Sequence, residues 1–215
     1  MFAHKTSSAE PLYPESDGKP MAETDLHAQC LIDLRTALDN YFRNDPNVYV
    51  SGNLLVYYVE GNPAKSFAPD VFVVRGVPKG QRRTYKLWEE GVVPQVIIEL
   101  TSRKTWREDL QTKWELYREL GVQEYFIFDP AYDYLDDPLV GYRLAGGKYE
   151  VLEVNDQRIK SDALGLELVD TGETLRLFDP HSNQLLPTAQ EAQERVAELE
   201  AQLVRYREQF GDLPK

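Results

Sequence analysis

The run from Pro94 to Pro130, PQVIIELTSRKTWREDLQTKWELYRELGVQEYFIFDP, constrains the fold more than any other part of the chain. Two short apolar runs, each rich in β-branched or aromatic residues, flank a charged segment whose apolar residues recur at helical spacing. That order predicts strand, helix, strand. The first strand ends in Glu99. A charge there is costly if the strand is buried, so it calls for a role. A second carboxylate, Asp70, opens another apolar run in FAPDVFVVR, predicted as a strand from about Pro69 to Arg75.

Strand geometry sharpens the question. Alternate residues share a face, so Ile97, Glu99 and Thr101 point together. If the strands of Asp70 and Glu99 pair, the two acids can share one Mg²⁺, an ion that takes oxygen ligands and keeps several waters. Such an ion activates water and neutralises charge developing on a phosphate. A lysine two residues after Glu99 would complete this chemistry, but position 101 is threonine. Lys104 and Lys113 are the next candidates, and the stem of Lys113 can reach back from the following helix. The competing reading of Lys113 is a surface pair with Asp109 at i, i+4. Asp70 can equally be a turn residue after Pro69. Thr101-Ser102 can be a helix cap.

The rest of the chain supplies a frame. Residues 1–20, rich in Ser, Pro and small polar residues, are expected to be a flexible leader. A helix is predicted from an N-cap at Thr24, with Leu31, Leu34, Leu38 and Phe42 on its apolar face and His27 in its first turn. Val48–Gly61 reads as one bulged strand or a tight hairpin. Residues 76–93 read as a loop with a basic cluster at Lys79, Arg82, Arg83 and Lys86. Gly141–Glu153 reads as a hairpin about Gly146-Gly147. Residues 161–168 and 173–178 read as strands extending the same sheet. A main domain over 21–180 and a linker at 181–187 precede a helix at 188–211. On that helix Ala192, Val196, Leu199, Leu203, Tyr206 and Phe210 alternate spacings of four and three, the seam of a coiled coil. A homodimer or a helix folded back on its own domain satisfies it.

Charge and composition bound the function. The single cysteine, Cys30, excludes an internal disulfide and lies in an apolar helical pattern, where a buried inert thiol is expected. No apolar run is long enough to span a bilayer and no signal segment is visible, so a cytoplasmic protein is expected. The net charge of −12 opposes nonspecific attraction to nucleic acid, and any grip on phosphates must be local. Arg103, Lys104 and Arg107 near Glu99, together with Arg82 and Arg83, are the candidates for it.

Taken together, Pro69-Asp70, the run Val96–Ser102, Asp109, Lys113, Tyr117, Gly121-Val122, Glu124-Tyr125 and Asp129-Pro130 resemble the Uma-two family of restriction endonucleases, a branch of the PD-(D/E)XK nucleases. The resemblance covers roughly residues 24–180. It implies an α/β restriction-endonuclease-like core with a mixed central sheet flanked by helices. It also implies Mg²⁺-dependent (or Mn²⁺-dependent) cleavage of DNA. By position it makes Asp70 and Glu99 the metal ligands and Lys113 the displaced lysine, with His27, Thr101 and Asp109 peripheral. The alternative is a scaffold that keeps the fold, has lost catalysis and pairs through its coil.

Overall fold

The computed structural model describes residues 11–16 and 24–211. Helix α1 (Asp25–Tyr41) is capped by Thr24, whose hydroxyl accepts from the His27 backbone N–H. There follow β1 (Val48–Ser51), β2 (Val56–Tyr57), β3 (Ser66–Phe67), β4 (Val71–Arg75), β5 (Tyr85–Lys86), the short α2 (Leu87–Glu90) and β6 (Val96–Leu100). The helix after β6 is a composite. It comprises α3 (Trp106–Glu108), a π-helical turn (Asp109–Lys113) and α4 (Trp114–Leu120). Then come β7 (Glu124–Phe128), β8 (Leu139–Ala145), β9 (Lys148–Val151), β10 (Arg158–Ser161), β11 (Leu166–Asp170), β12 (Leu175–Asp179), β13 (Gln184–Leu185) and α5 (Ala189–Phe210).

The central sheet has the order β1-β4-β6-β7-β8-β9. Within this sheet only β6 and β7 run parallel, joined by the composite helix as a crossover, and its other pairings are antiparallel. The mixed sheet and flanking helices are the predicted α/β architecture. Both faces are covered. Val96, Ile98, Leu100, Phe126 and Phe128 pack with Leu34 and Leu38 of α1 and with Leu166, Leu168 and Leu177 of the second sheet. Ile97, Tyr125 and Ile127 pack on the other face with Tyr117 and Val122. Coverage on both sides explains why β6 and β7 read as continuous apolar runs rather than alternating ones.

Five expectations are corrected. Val48–Gly61 is neither one strand nor a hairpin. β1 pairs with β4 in the central sheet, whereas β2 pairs with β3 and β5 in a separate three-stranded sheet. The chain changes sheets at Gly52-Asn53, and β5 and α2 lie inside the stretch expected to be a loop. The late strands do not extend the central sheet either. β10–β13 form their own four-stranded sheet, and β13 falls inside the expected linker. Finally, the described part of the leader is packed. Tyr13 lies edge-on to Tyr57 and against Trp88, and its hydroxyl accepts from the Gly61 N–H. The Tyr57 hydroxyl donates to the Pro14 carbonyl at 2.6 Å. Residues 1–10 and 17–20 of the predicted leader lie outside the described residues.

The hairpin expectation holds: Gly146 and Gly147 both take positive φ, 57° and 79°, between β8 and β9, as a two-residue hairpin turn requires. Cys30 is buried, and burial pushes its thiol up to about 11, as an inert core cysteine should be. Among the described residues no helix is long and apolar enough to cross a membrane.

Candidate active site

The antiparallel register of β4 and β6 aligns Val71 with Ile98, so the next pair outward is Asp70 and Glu99. The side chain of each reaches the backbone of the other strand. Asp70 Oδ2 accepts from the Leu100 N–H at 2.7 Å, and Glu99 Oε2 lies 3.4 Å from the Asp70 N–H. Gly52 makes this arrangement possible. A Cβ at that position would lie 2.0 Å from the Asp70 carbonyl oxygen. The neighbouring Asn53 N–H then donates to the Pro69 carbonyl, fixing the segment that presents Asp70.

Glu99 is 1% exposed and its partners come from the composite helix. Lys113 Nζ is 3.0 Å from Glu99 Oε2, and the Tyr117 hydroxyl donates to Oε1 at 2.6 Å. Lys113 and Tyr117 are four residues apart, so they rise on one face of the helix. Lys113 Nζ also lies 2.8 Å from Asp109 Oδ1, while Asp109 Oδ2 accepts from the Thr101 hydroxyl at 2.9 Å. The Asp109–Lys113 pair therefore exists, but Asp109 is buried and the pair is not the solvated surface contact that its spacing permits. Thr101, where a lysine is missing, holds the aspartate that holds the lysine.

A π turn is uncommon and recurs at functional sites. Here it spans Asp109–Lys113, and the Asp109 carbonyl accepts a bond from the Tyr125 hydroxyl of β7 at 3.0 Å. Sequence reasoning gave Tyr117 and Tyr125 no role in the site beyond the motif they belong to. The available signal was tyrosine in place of phenylalanine, because a buried hydroxyl needs a partner.

The electrostatics follow from burial. Removal from water raises the Glu99 pKa from 4.5 to about 8, with Lys113 pulling the other way. Burial also disfavours the Lys113 ammonium, but Glu99, Asp109 and Asp70 outweigh it and hold its pKa above the ordinary lysine value. The Tyr117 phenol is raised by burial and by Glu99, so it stays a donor.

Lys113 and Asp70 sit at the wall of a cleft of about 850 Å³, lined also by Leu100, Thr101, Ser102, Arg103, Lys104, His27 and Tyr134, whereas Glu99, Asp109 and Tyr117 are buried behind it. Glu15 and Ser16 of the leader also line it. His27 Nε2 donates to the Leu100 carbonyl at 2.8 Å and lies 3.6 Å from Asp70 Oδ2. Thus Asp70, Glu99, Lys113, Thr101, Asp109 and His27 are brought together. The predicted basic residues divide. Arg103 and Lys104 face the cleft. Arg107 stacks on Trp106. Arg82 is bonded twice to Glu90 and lies over the Tyr49 ring, away from the cleft lining. Arg83 is paired at the surface with Glu15.

The donors available to a metal are hard oxygens, the Asp70 and Glu99 carboxylates and the Leu100 carbonyl. They suit Mg²⁺ or Mn²⁺, which complete their shells with water. Among the described residues no three His, Cys, Asp or Glu side chains form a ready ligand cluster, so a metal there would also draw on main-chain oxygen and water.

The sequence model of the Uma2 family, described as putative restriction endonucleases, matches residues 8–176. The chain belongs to that family. The match contains the whole Asp70–Glu99–Lys113 site and stops short of α5. Solved structures include a putative nuclease of the DUF820 group from Anabaena variabilis, 15% identical, covering 68% of this chain and 76% of that one, with a TM-score of 0.49. No curated protein sequence matches the chain.

Proposed function

We propose that this member of a nuclease family is a metal-dependent endonuclease that hydrolyses DNA phosphodiester bonds. The observation that carries the reading is Lys113 Nζ, 3.0 Å from Glu99 Oε2 beside Asp70 at the cleft wall. Asp70 and Glu99 are the residues that would hold Mg²⁺ or Mn²⁺. When bound, the ion would lower the pKa of a water and offset charge on the phosphate. Lys113 supplies a fixed ammonium beside the reacting phosphate, preorganised by Asp109 and, through it, by Thr101. Tyr117 orients Glu99 by its hydroxyl. Arg103 and Lys104 give the cleft a local basic rim, which an acidic chain needs if it is to hold a phosphate backbone.

The test is plasmid and single-stranded DNA incubated with Mg²⁺ or Mn²⁺, comparing the wild type with Asp70→Asn, Glu99→Gln and Lys113→Met. Cleavage by the wild type and none by the variants is expected. Cleavage that is equal in all four, or absent in all four, sinks the reading.

A second role attaches to α5. Val196, Leu199, Leu203, Tyr206 and Phe210 are exposed and no α5 residue is buried. Near its start the helix is anchored by the Ala189 N–H, which donates to Asp33, and by Glu191, which pairs with Arg176. In the heptad, Val196, Leu203 and Phe210 take position a, and Ala192, Leu199 and Tyr206 take position d. A parallel pairing sets Arg195 against Glu200 of the second copy, whereas an antiparallel pairing centred on the seam sets Glu200 against Glu200. Charge therefore favours a parallel homodimer. Light scattering should give about twice the 24.8 kDa of one chain, reverting to one chain in a Leu199→Asp/Leu203→Asp variant. A monomeric wild type removes the dimer. A wild-type dimer with no cleavage under any metal is the outcome that favours a scaffold over an enzyme.

A further inference from the structure

The apolar stripe by which α1 packs on the sheet runs through Leu38, Leu34, Leu31 and Cys30, and its next buried member is His27. At that end of the stripe a polar ring is buried where an aliphatic residue would continue the pattern. His27 is 7% exposed and lines the cleft beside Asp70 and Leu100. Its ring nitrogen Nε2 lies 2.8 Å from the Leu100 carbonyl oxygen and 3.6 Å from Asp70 Oδ2. These three atoms come from α1, from the end of β6 and from the residue preceding β4, so the convergence is made by the tertiary fold and not by local sequence.

Donors bound to an octahedral ion at about 2.1 Å sit about 3.0 Å from their neighbours. The separations 2.8 and 3.6 Å bracket that value. We infer that His27 is a nitrogen ligand of the metal site, acting with Asp70 Oδ2 and the Leu100 carbonyl. This rests on the proposed metal-dependent reading of the same cleft and adds a ligand and a metal preference to it. Neutral imidazole can carry its proton on either nitrogen. Shifting the N–H from Nε2 to Nδ1 exchanges the hydrogen bond to Leu100 for a lone pair aimed at the ion, with no net change in protons. One imidazole among oxygen donors biases a site away from Mg²⁺ and toward Mn²⁺ and the later divalent metals. Mg²⁺ then occupies the same oxygens with weaker selection.

The experiment uses the full chain, with Mn²⁺ and Mg²⁺ as probes in isothermal titration, and electron spin-echo spectroscopy of the Mn²⁺-loaded protein. The wild type should bind Mn²⁺ at least about tenfold more tightly than Mg²⁺, and should show ¹⁴N coupling from a directly bound imidazole. His27→Gln keeps a donor for the Leu100 carbonyl but supplies no imidazole. It should lose the ¹⁴N signal and most of the Mn²⁺ preference while binding Mg²⁺ nearly as before. If His27→Gln retains the Mn²⁺ preference, or the wild type shows no nitrogen coupling, His27 only props Leu100 and the inference fails. His27→Asn serves as a second variant should the glutamine disturb α1, with circular dichroism confirming the fold. Asp70→Asn separates this from failure of the underlying reading: it should weaken both ions, and unaltered binding of both would overturn the metal site itself.

Discussion

Two glutamates are buried in the central sheet on neighbouring parallel strands, Glu99 at the end of β6 and Glu124 at the start of β7. In sequence each is an acid beside an apolar run. Their surroundings differ. Glu124 accepts from the Ser161 hydroxyl, from the backbone N–H groups of Asp162 and Ala163, and from Arg143, whose guanidinium contacts it at 2.8 and 2.9 Å. Those donors lie on β8 and at the end of β10, so Glu124 ties the second sheet to the first. Glu99 has one hydroxyl donor, one ammonium and a long contact to a backbone N–H, and its partner Lys113 lines a cleft. A buried carboxylate saturated with donors is a tie, whereas one with few donors, held beside a cleft by a cation, is available to a ligand. Burial alone does not distinguish them; the donor inventory does.

The sharpest way to break this contrast is to exchange the two losses. Glu99→Gln should abolish cleavage and metal binding yet leave thermal stability within about 1 kcal/mol, because burial already keeps that acid protonated up to about pH 8 and Lys113 keeps Asp109. Glu124→Ala should destabilise the fold by about 3 kcal/mol, since Ser161 and two N–H groups lose their acceptor. Any activity it loses should return at lower temperature. If instead Glu124→Ala melts like the wild type and Glu99→Gln does not fold, the assignment is reversed.

Gly52→Ala probes the backbone that presents the other acid. Its Cβ meets the Asp70 carbonyl, so a cost of about 1–3 kcal/mol from forced movement is expected, with a larger proportional loss of metal affinity than of stability. Titration with Mn²⁺ beside a melting curve measures both. Metal affinity unaffected by a folded Gly52→Ala would mean that Asp70 is not a ligand.

The pH response separates the glutamates further. Burial raises the Glu99 pKa from 4.5 to about 8. The folded chain therefore keeps a proton that the unfolded chain releases. The stability tied to that proton is complete below about pH 4.5 and is lost as pH rises through 8. Metal binding at the proposed site should run oppositely, because the ion needs the carboxylate. Affinity for Mn²⁺ should climb between pH 6 and 8 by nearly tenfold per unit, and titration at stepped pH reads it. A flat profile would contradict the buried acid. The smallest effect belongs to Tyr117→Phe. Loss of its hydroxyl should raise the Glu99 pKa further and weaken metal binding by about 1 kcal/mol at pH 7, shifting the same pH profile upward.

Much of the site was legible because it is local. The strand-helix-strand order of Pro94–Pro130 follows from its apolar periodicity, and the four-residue step from Asp109 to Lys113 is visible in the chain. What was hidden depends on distant pairing. Nothing near Val56 states that it will pair with Phe67 and Tyr85 and leave Val50 to pair with Val73. The strands β10–β13 carry ordinary alternation, which is equally suited to extending one sheet or building another. Arg82 reads as a free cation until Glu90 and Tyr49 are placed beside it. Tyr13 and Pro14 sit in a Pro- and Ser-rich stretch whose composition describes a tail, yet a few aromatic contacts suffice to seat them.

That seating bears on how the protein should be handled. A chain cut at residue 21, where composition would place the start of the folded part, loses Glu15 and Ser16 from the wall of the cleft. It also uncovers the Tyr57 hydroxyl and the ring of Trp88, and it releases Arg83 from its acidic neighbour. Such a shortened protein would present a differently charged entrance to nucleic acid. Assays on trimmed and full-length chains would then report on two different clefts.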